Sequence, residues 1–318
     1  MSKIRIGLVV DFRTYKDYYK RFYANHKSKI LEFHILERDL EDGFAEKIRE
    51  IKEFLKVNKI KEVSFHTPDR IMQAVLFEEN TPLLENDKKK MYLMLDNLKK
   101  LSNDLKQEIL LVFHQGIKLP ASFFKGMSEN EIDAFREEKL RQAEKSCALL
   151  LEYVKGSKLV PLLENSPPSS AADSSIHFFD VAFEDFKNRL GSRKGFVFDI
   201  CHAAMAVESF RQDKIRFVGM ESLRRKYKGV PDSLTSLEKY IQLAGKNTAW
   251  IHLSDANGIL GENEGLVIGA QGSIIDFNKA FSEIKRHVAN KICVLEIVNS
   301  HKDYSLNERS MEEINKFI

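Results

Sequence analysis

Residues 196–202 read FVFDICH. Phe196, Val197 and Phe198 are apolar at successive positions, so an extended run here buries both of its faces, as strands of a parallel sheet do. The run ends on Asp199. His202 follows three residues later, where the chain turns toward a helix. The same design recurs in both directions. Downstream lie WIHLSD (250–255) and VLEIVN (294–299); upstream lie PLLENSP (161–167), LVFHQG (111–116) and SFHTP (64–68). Two more apolar runs precede these, which makes eight strand candidates: Ile4–Val10, Ile30–Leu36, Val63–Phe65, Ile109–Phe113, Leu159–Leu163, Phe196–Phe198, Trp250–Leu253 and Cys293–Ile297. Charged amphipathic runs separate them and predict helices, among them Phe44–Val57, Lys88–Leu105, Glu129–Val154, Leu237–Gly245, Phe277–His287 and a last one near Leu306–Ile318. Strand alternating with helix implies a parallel sheet, because parallel neighbours need a long crossover. Eight repeats predict an α/β protein of the (β/α)8 barrel type, with residues 1–318 as a single domain.

Such a barrel needs about 250 residues, and the chain has 318. The surplus is expected in enlarged loops after strands, at Gln115–Ser128, Ser166–Phe178 and Asp213–Thr235. Hydrophobic residues at 43% and charged residues at 31% fill a core and keep a wet surface, which excludes disordered and low-complexity classes. Lys and Arg total 50 against 47 Asp and Glu, a net charge of 50 − 47 = +3. A protein living on phosphate contacts is far more basic, so charge argues against nucleic acid as partner. Cys147, Cys201 and Cys293 form no C-x-x-C pair, and a reducing compartment fits three unpaired thiols. The first apolar run is too short for a signal segment or a membrane span. The expectation is a cytoplasmic protein without membrane contact, with a homo-oligomer left open.

Barrel enzymes place their chemistry at the C-terminal ends of strands. Here every strand from the third to the eighth ends in a histidine or a carboxylate: His66, His114, Glu164, Asp199 with His202, His252 with Asp255, and Glu296. One such residue alone reads as a rim hydrogen bond or a helix cap. Six in six successive repeats converge on one ring about the barrel mouth. Glu164, Asp199 and Glu296 would repel one another there without a cation. Imidazole with carboxylate suits Zn, Mn, Co or Fe(II). Asp255 reads either as a partner of the ligands or as a turn residue in SDANG.

The order of these motifs resembles the xylose-isomerase-like barrels, which include sugar-phosphate isomerases and epimerases and endonuclease IV. The similarity rests on ENS at 164–166, D-x-x-H at 199–202, HLSD at 252–255, IGAQGSIIDF at 268–277 and LE at 295–296. The resemblance implies one divalent ion, Mn or Zn first and Co or Mg as alternatives, held by Glu164, Asp199, His252 and Glu296. It further implies that Glu164 and Glu296 are the catalytic acid and base that move a proton beside the carbonyl of a small carbohydrate. His202 would match a substrate-contacting histidine. His66, His114 and His202 are candidates for a second metal or for substrate contact. The similarity to endonuclease IV implies an alternative, a dinuclear zinc phosphohydrolase. That enzyme's third zinc needs an Asp-x-His after the seventh strand, and GENEGLVIGAQG (261–272) has neither residue. Gly258 stands where some ketose epimerases carry an arginine.

The basic run Arg224-Arg225-Lys226 follows the sixth strand. It reads as a solvated turn or as an anion clamp for a phosphate or carboxylate. Phe123, Phe124, Phe178 and Phe179 either roof the site or pack within their loops. Cys201 reads as a small buried apolar residue. Together these expectations describe a metal-dependent sugar or sugar-phosphate isomerase or epimerase.

Overall fold

Strand β1 (Arg5–Asp11) carries Gly7 where it passes β2 (Ile30–His34). A β-carbon on Gly7 would meet Cγ2 of Ile30 at 2.4 Å, so only glycine permits the approach. From this contact a parallel ladder runs through β3 (Glu62–His66), β4 (Ile109–Phe113) and β6 (Leu159–Glu164). A second parallel ladder joins β9 (Phe196–Asp199), β10 (Thr248–Leu253) and β11 (Ile292–Leu295). The eight strands close into a barrel in the order β1-β11-β10-β9-β6-β4-β3-β2. β9 and β11 are buried at every position, as strands covered on both faces must be. The expected (β/α)8 architecture is therefore the observed one.

The computed structural model describes residues 3–41, 43–68, 82–115, 118–170, 175–177, 180–212 and 218–318. The chain packs as two compact units. One holds Ile6–Gln115 and Gln142–Leu163. Its core is aromatic: Phe33 of β2 stacks on Phe65 of β3 at 4.9 Å, and Tyr15 meets Phe33 edge-on at 5.2 Å. Tyr15 opens α1 (Tyr15–His26), which buries Tyr15, Tyr19 and Phe22. α2 (Phe44–Asn58) and α3 (Pro82–Leu105) follow β2 and β3. α4 (Glu129–Val154) contributes its second half.

The other unit holds Met1–Arg5, Gly116–Arg141 and Glu164–Ile318. In its parallel ladder His252 pairs in register with Asp199, and Ile251 with Cys293. The helices here are α5 (Lys187–Leu190), α6 (Ile200–Gln212), α7 (Val218–Tyr227), α8 (Leu237–Ala244), α9 (Phe277–His287) and α10 (Ser305–Ile314). Ser236 caps α8 and Asp276 caps α9 through hydrogen bonds from the backbone N–H groups of Lys239 and Lys279. Among the described residues no helix is long and apolar enough to cross a membrane. All three cysteines are buried free thiols.

Two of the expected loops carry structure. The stretches 115–128 and 166–178 hold β5 (Lys118–Pro120), β7 (Ser169–Ser170) and β8 (Ser175–His177), which pair as a small antiparallel sheet. The stretch 213–235 is not a plain loop, since α7 occupies its middle. Met220 and Leu223 are buried three residues apart on one helical face, and the charged run covers the other.

Candidate metal centre at the ends of four strands

Glu164 ends β6, Asp199 ends β9, His252 lies one residue before the end of β10, and Glu296 follows β11. Side chains at matching depth on neighbouring parallel strands point to the same side. The in-register pairing of Asp199 with His252 sets that depth. Nδ1 of His252 lies 2.7 Å from Oε1 of Glu164, 2.7 Å from Oε2 of Glu296 and 4.0 Å from Oδ2 of Asp199. Glu164, Asp199 and His252 are buried, and the Glu296 side chain keeps 28% of its surface.

Three carboxylates thus share one imidazole nitrogen. An imidazole Nδ1–H carries one proton and cannot serve all three. The charge left over is the strongest physical argument for a cation. The geometry passes the corresponding test: one ligand atom from each of the four residues lies within 4.8 Å of the others. A first-row ion takes such ligands at about 2.0–2.2 Å, so four donor atoms gathered this closely fit a single ion. Burial pushes the Asp199 carboxyl up to about 7; Glu164 and Glu296 add to the rise, while His202 and His252 oppose it. A bound cation would reverse that shift.

His202 sits on the first turn of α6, half-enclosed. Its backbone N–H donates to Oδ1 of Asp199 at 2.6 Å. Its Nδ1 lies 2.9 Å from the carbonyl of Asn165, an acceptor only, so Nδ1 carries a proton. Its Nε2 faces Oε2 of Glu264 at 3.7 Å. Burial alone would lower the pKa of His202, but Asp199, Glu264 and Glu164 hold it up to about 9. Two of these participants, Asn165 and Glu264, have no role in the sequence expectations. The signal for Asn165 is its place directly after the glutamate in ENS.

His66 ends β3 and His114 follows β4, with ring centroids 5.4 Å apart; His34 lies 5.1 Å from His66 on the other side. Nδ1 of His66 is 3.0 Å from the carbonyl of Thr67. Asp255 is a turn organiser. Its carboxylate accepts the N–H groups of Ala256, Gly269 and Ala270 and the hydroxyl of Ser273, which ties the glycine-rich segment to the end of β10. In the same loop Gly265 has φ +69°, and a β-carbon there would meet Cγ2 of Val298 at 2.2 Å. Cys201 packs against Met205, Ala256 and Ile274, and burial pushes its thiol well above the ordinary range.

The basic run faces acids instead of open solvent. Arg225 forks Asp133 of α4 at 2.8 and 2.7 Å, Lys226 meets Glu137 at 3.0 Å, and Arg224 meets Glu221 at 2.8 Å. Arg225 and Lys226 thus form a strut between α7 and α4, while Arg224 pairs within α7. Phe123 and Phe124 pack on each other and on Phe135. Phe178 and Phe179 lie outside the described residues.

A closed (β/α)8 barrel with a carboxylate–histidine cluster at its strand ends defines a class of barrel proteins. The chain belongs to the xylose isomerase-like TIM barrel family, whose pattern it matches over residues 25–317. Among solved structures it is similar to D-psicose 3-epimerase from Clostridium cellulolyticum H10 with D-tagatose. That likeness has 14% identity and a TM-score of 0.57, and it covers 98% of this chain and 97% of that one. It is also similar to D-allulose 3-epimerase from Methylomonas sp. in complex with D-allulose, at 12% identity and TM-score 0.56, over 99% of this chain and 98% of that one. An L-ribulose 3-epimerase aligns at 11% identity and TM-score 0.53, over 97% of this chain and 86% of that one. No curated protein sequence matches the chain.

Proposed function

We propose that the protein is a divalent-metal-dependent epimerase or isomerase acting on a sugar, a sugar phosphate or a related hydroxy-carbonyl compound. The observation that carries the reading is the convergence of Glu164, Asp199, His252 and Glu296, with two glutamates 2.7 Å from one histidine nitrogen. Solved structures of the same fold include proteins described as ketose 3-epimerases, which supports a carbohydrate substrate.

Glu164, Asp199, His252 and Glu296 would hold the ion. When bound, it supplies a Lewis acid that polarises the substrate carbonyl and favours loss of the adjacent C–H proton. The chain's own residues do the rest. Glu164 and Glu296 stand at the two flanks of the four-strand arc β6-β9-β10-β11, with Asp199 and His252 between them. A substrate seated between the flanks meets a carboxylate on either side. One carboxylate breaks the C–H bond and takes the proton, leaving the electron pair delocalised over the carbon and the carbonyl oxygen. The other, entering as the carboxylic acid, returns a proton to the same carbon from its own side, which inverts the centre. Return to the neighbouring carbon isomerises instead. His202 is fixed through Nδ1, and its Nε2, which faces Glu264, would contact a substrate hydroxyl.

Three cysteine thiols support a cytoplasmic site of action, and the unbroken family match supports reading residues 1–318 as one domain. His66 and His114, with neighbouring rings, support the alternative of a second ion or of contacts to substrate hydroxyls. The test is exchange of substrate C–H with solvent deuterium, across a ketose and ketose-phosphate panel with added manganese, cobalt or zinc. Glu164→Gln and Glu296→Gln should each lower exchange by 100-fold or more, in line with a loss of general acid–base catalysis of about 10²–10⁴. Near-wild-type exchange in both would sink the mechanism. Chelator-sensitive cleavage of an abasic duplex would promote the phosphohydrolase.

A further inference from the structure

Asn165 follows Glu164 directly and is buried. It grips the end of β9 at two points and the start of α6 at a third. Its Oδ1 accepts the backbone N–H of Asp199 at 2.8 Å, and its Nδ2 donates to the backbone carbonyl of Asp199 at 2.9 Å. Its own carbonyl takes Nδ1 of His202 at 2.9 Å. The side-chain amide therefore satisfies both peptide groups of Asp199, much as a neighbouring strand would. On the opposite edge of β9, Asp199 is already paired in register with His252. Asp199 is thus held from both sides, and the two grips come from segments that carry other members of the ligand set.

Few residue types can do this. The amide must present one donor and one acceptor in a plane at short reach. Aspartate offers no donor, alanine offers neither group, and glutamine adds a methylene to a fully buried position. The loop that carries Asn165 is itself anchored. The N–H of Ser166 donates to the carbonyl of Asp180 at 2.8 Å. Asp180 has φ 66°, and its carboxylate is held by both terminal nitrogens of Arg189 in a fully buried pair. A left-handed backbone on a non-glycine residue persists only where its surroundings impose it, and here the Arg189 pair does so.

We propose that Asn165 is the positioning residue of the metal centre: through both peptide groups of Asp199 it aligns that carboxylate with Glu164 and His252, and through its carbonyl it fixes the ring of His202. This rests on reading the cluster as a divalent-metal site. Residues that orient metal ligands typically change affinity by about 10–100-fold when they are lost. The test uses the full chain, stripped with chelator and titrated with cobalt(II). Affinity is followed by calorimetry, ligand geometry by the visible d–d bands, and folding by circular dichroism.

Asn165→Ala should fold and bind cobalt about 10–100-fold more weakly, with shifted d–d bands. Asn165→Asp, nearly the same size, should show the same loss, because it keeps the acceptor and forfeits the donor. Folded variants with wild-type affinity and bands overturn the inference. So does failure of both to fold, which would make Asn165 a folding residue only. Wild-type protein that binds neither cobalt nor manganese overturns the metal reading itself. The two failures are therefore distinguishable.

Discussion

Asp199 shows at the scale of one residue what the clustered carboxylates cost when no cation joins them. Its carboxylate is buried against two glutamates, and its pKa stands at about 7 against an ordinary 3.8. A carboxyl raised on folding contributes stability at low pH and loses it as pH climbs through the raised value. Asp199→Asn keeps the shape and removes the charge. In metal-free protein at pH 8 the variant should therefore unfold at a higher temperature than wild type, and the gap should narrow as pH is lowered toward 5. With metal the order reverses, because the variant has lost an anionic ligand. Thermal unfolding with and without chelator checks both halves. A variant less stable than wild type in both states would contradict the picture of clustered, uncompensated anions.

At the scale of elements, strands were easier to read than loops. Ile109–Phe113 and the helices Glu129–Val154 and Phe277–His287 coincide with their expected bounds, because apolar runs and long 3.6-residue periods signal burial directly. α1 was harder. YKDYYKRFYANH is polar and rich in tyrosine, whose strand preference hides the buried spacing of Tyr15, Tyr19 and Phe22. α7 was masked in a similar way by RRKYK, whose charges look like a solvated turn until Asp133 and Glu137 of α4 come opposite. The cluster of Glu164, Asp199, His252 and Glu296 is built from strand ends, so alternation of strand and helix made its members visible. Asn165 works through backbone groups, and its place after Glu164 in ENS is its one trace in the sequence; Glu264 reaches His202 from a loop, which no spacing reveals. The α7–α4 strut has its own consequence. Arg225 holds Asp133 below its ordinary 3.8, so the pair stabilises the fold above that pH and fades as acid protonates the carboxylate. Arg225→Ala should lower the unfolding free energy at pH 7 by roughly 0.5–1 kcal/mol, the range of a partly exposed pair. Urea unfolding at pH 7 and near pH 3.5 should show that difference shrinking. A difference that grows in acid would contradict the assignment.

At the scale of the whole molecule, the barrel gathers four strand ends into one charged cluster, and a ligand of that cluster should stabilise the fold. An ion present at 100 times its dissociation constant adds about 2.7 kcal/mol to stability. Chelation should lower the melting temperature by several degrees, and manganese or cobalt should restore it. The most direct test is metal content per chain, measured by elemental analysis on protein purified without a metal-binding tag and again after chelation and refilling with manganese or cobalt. The account predicts one exchangeable ion per chain, lost on combining Glu164→Gln with Asp199→Asn. A wild-type chain that takes up no ion under any of these conditions would contradict it.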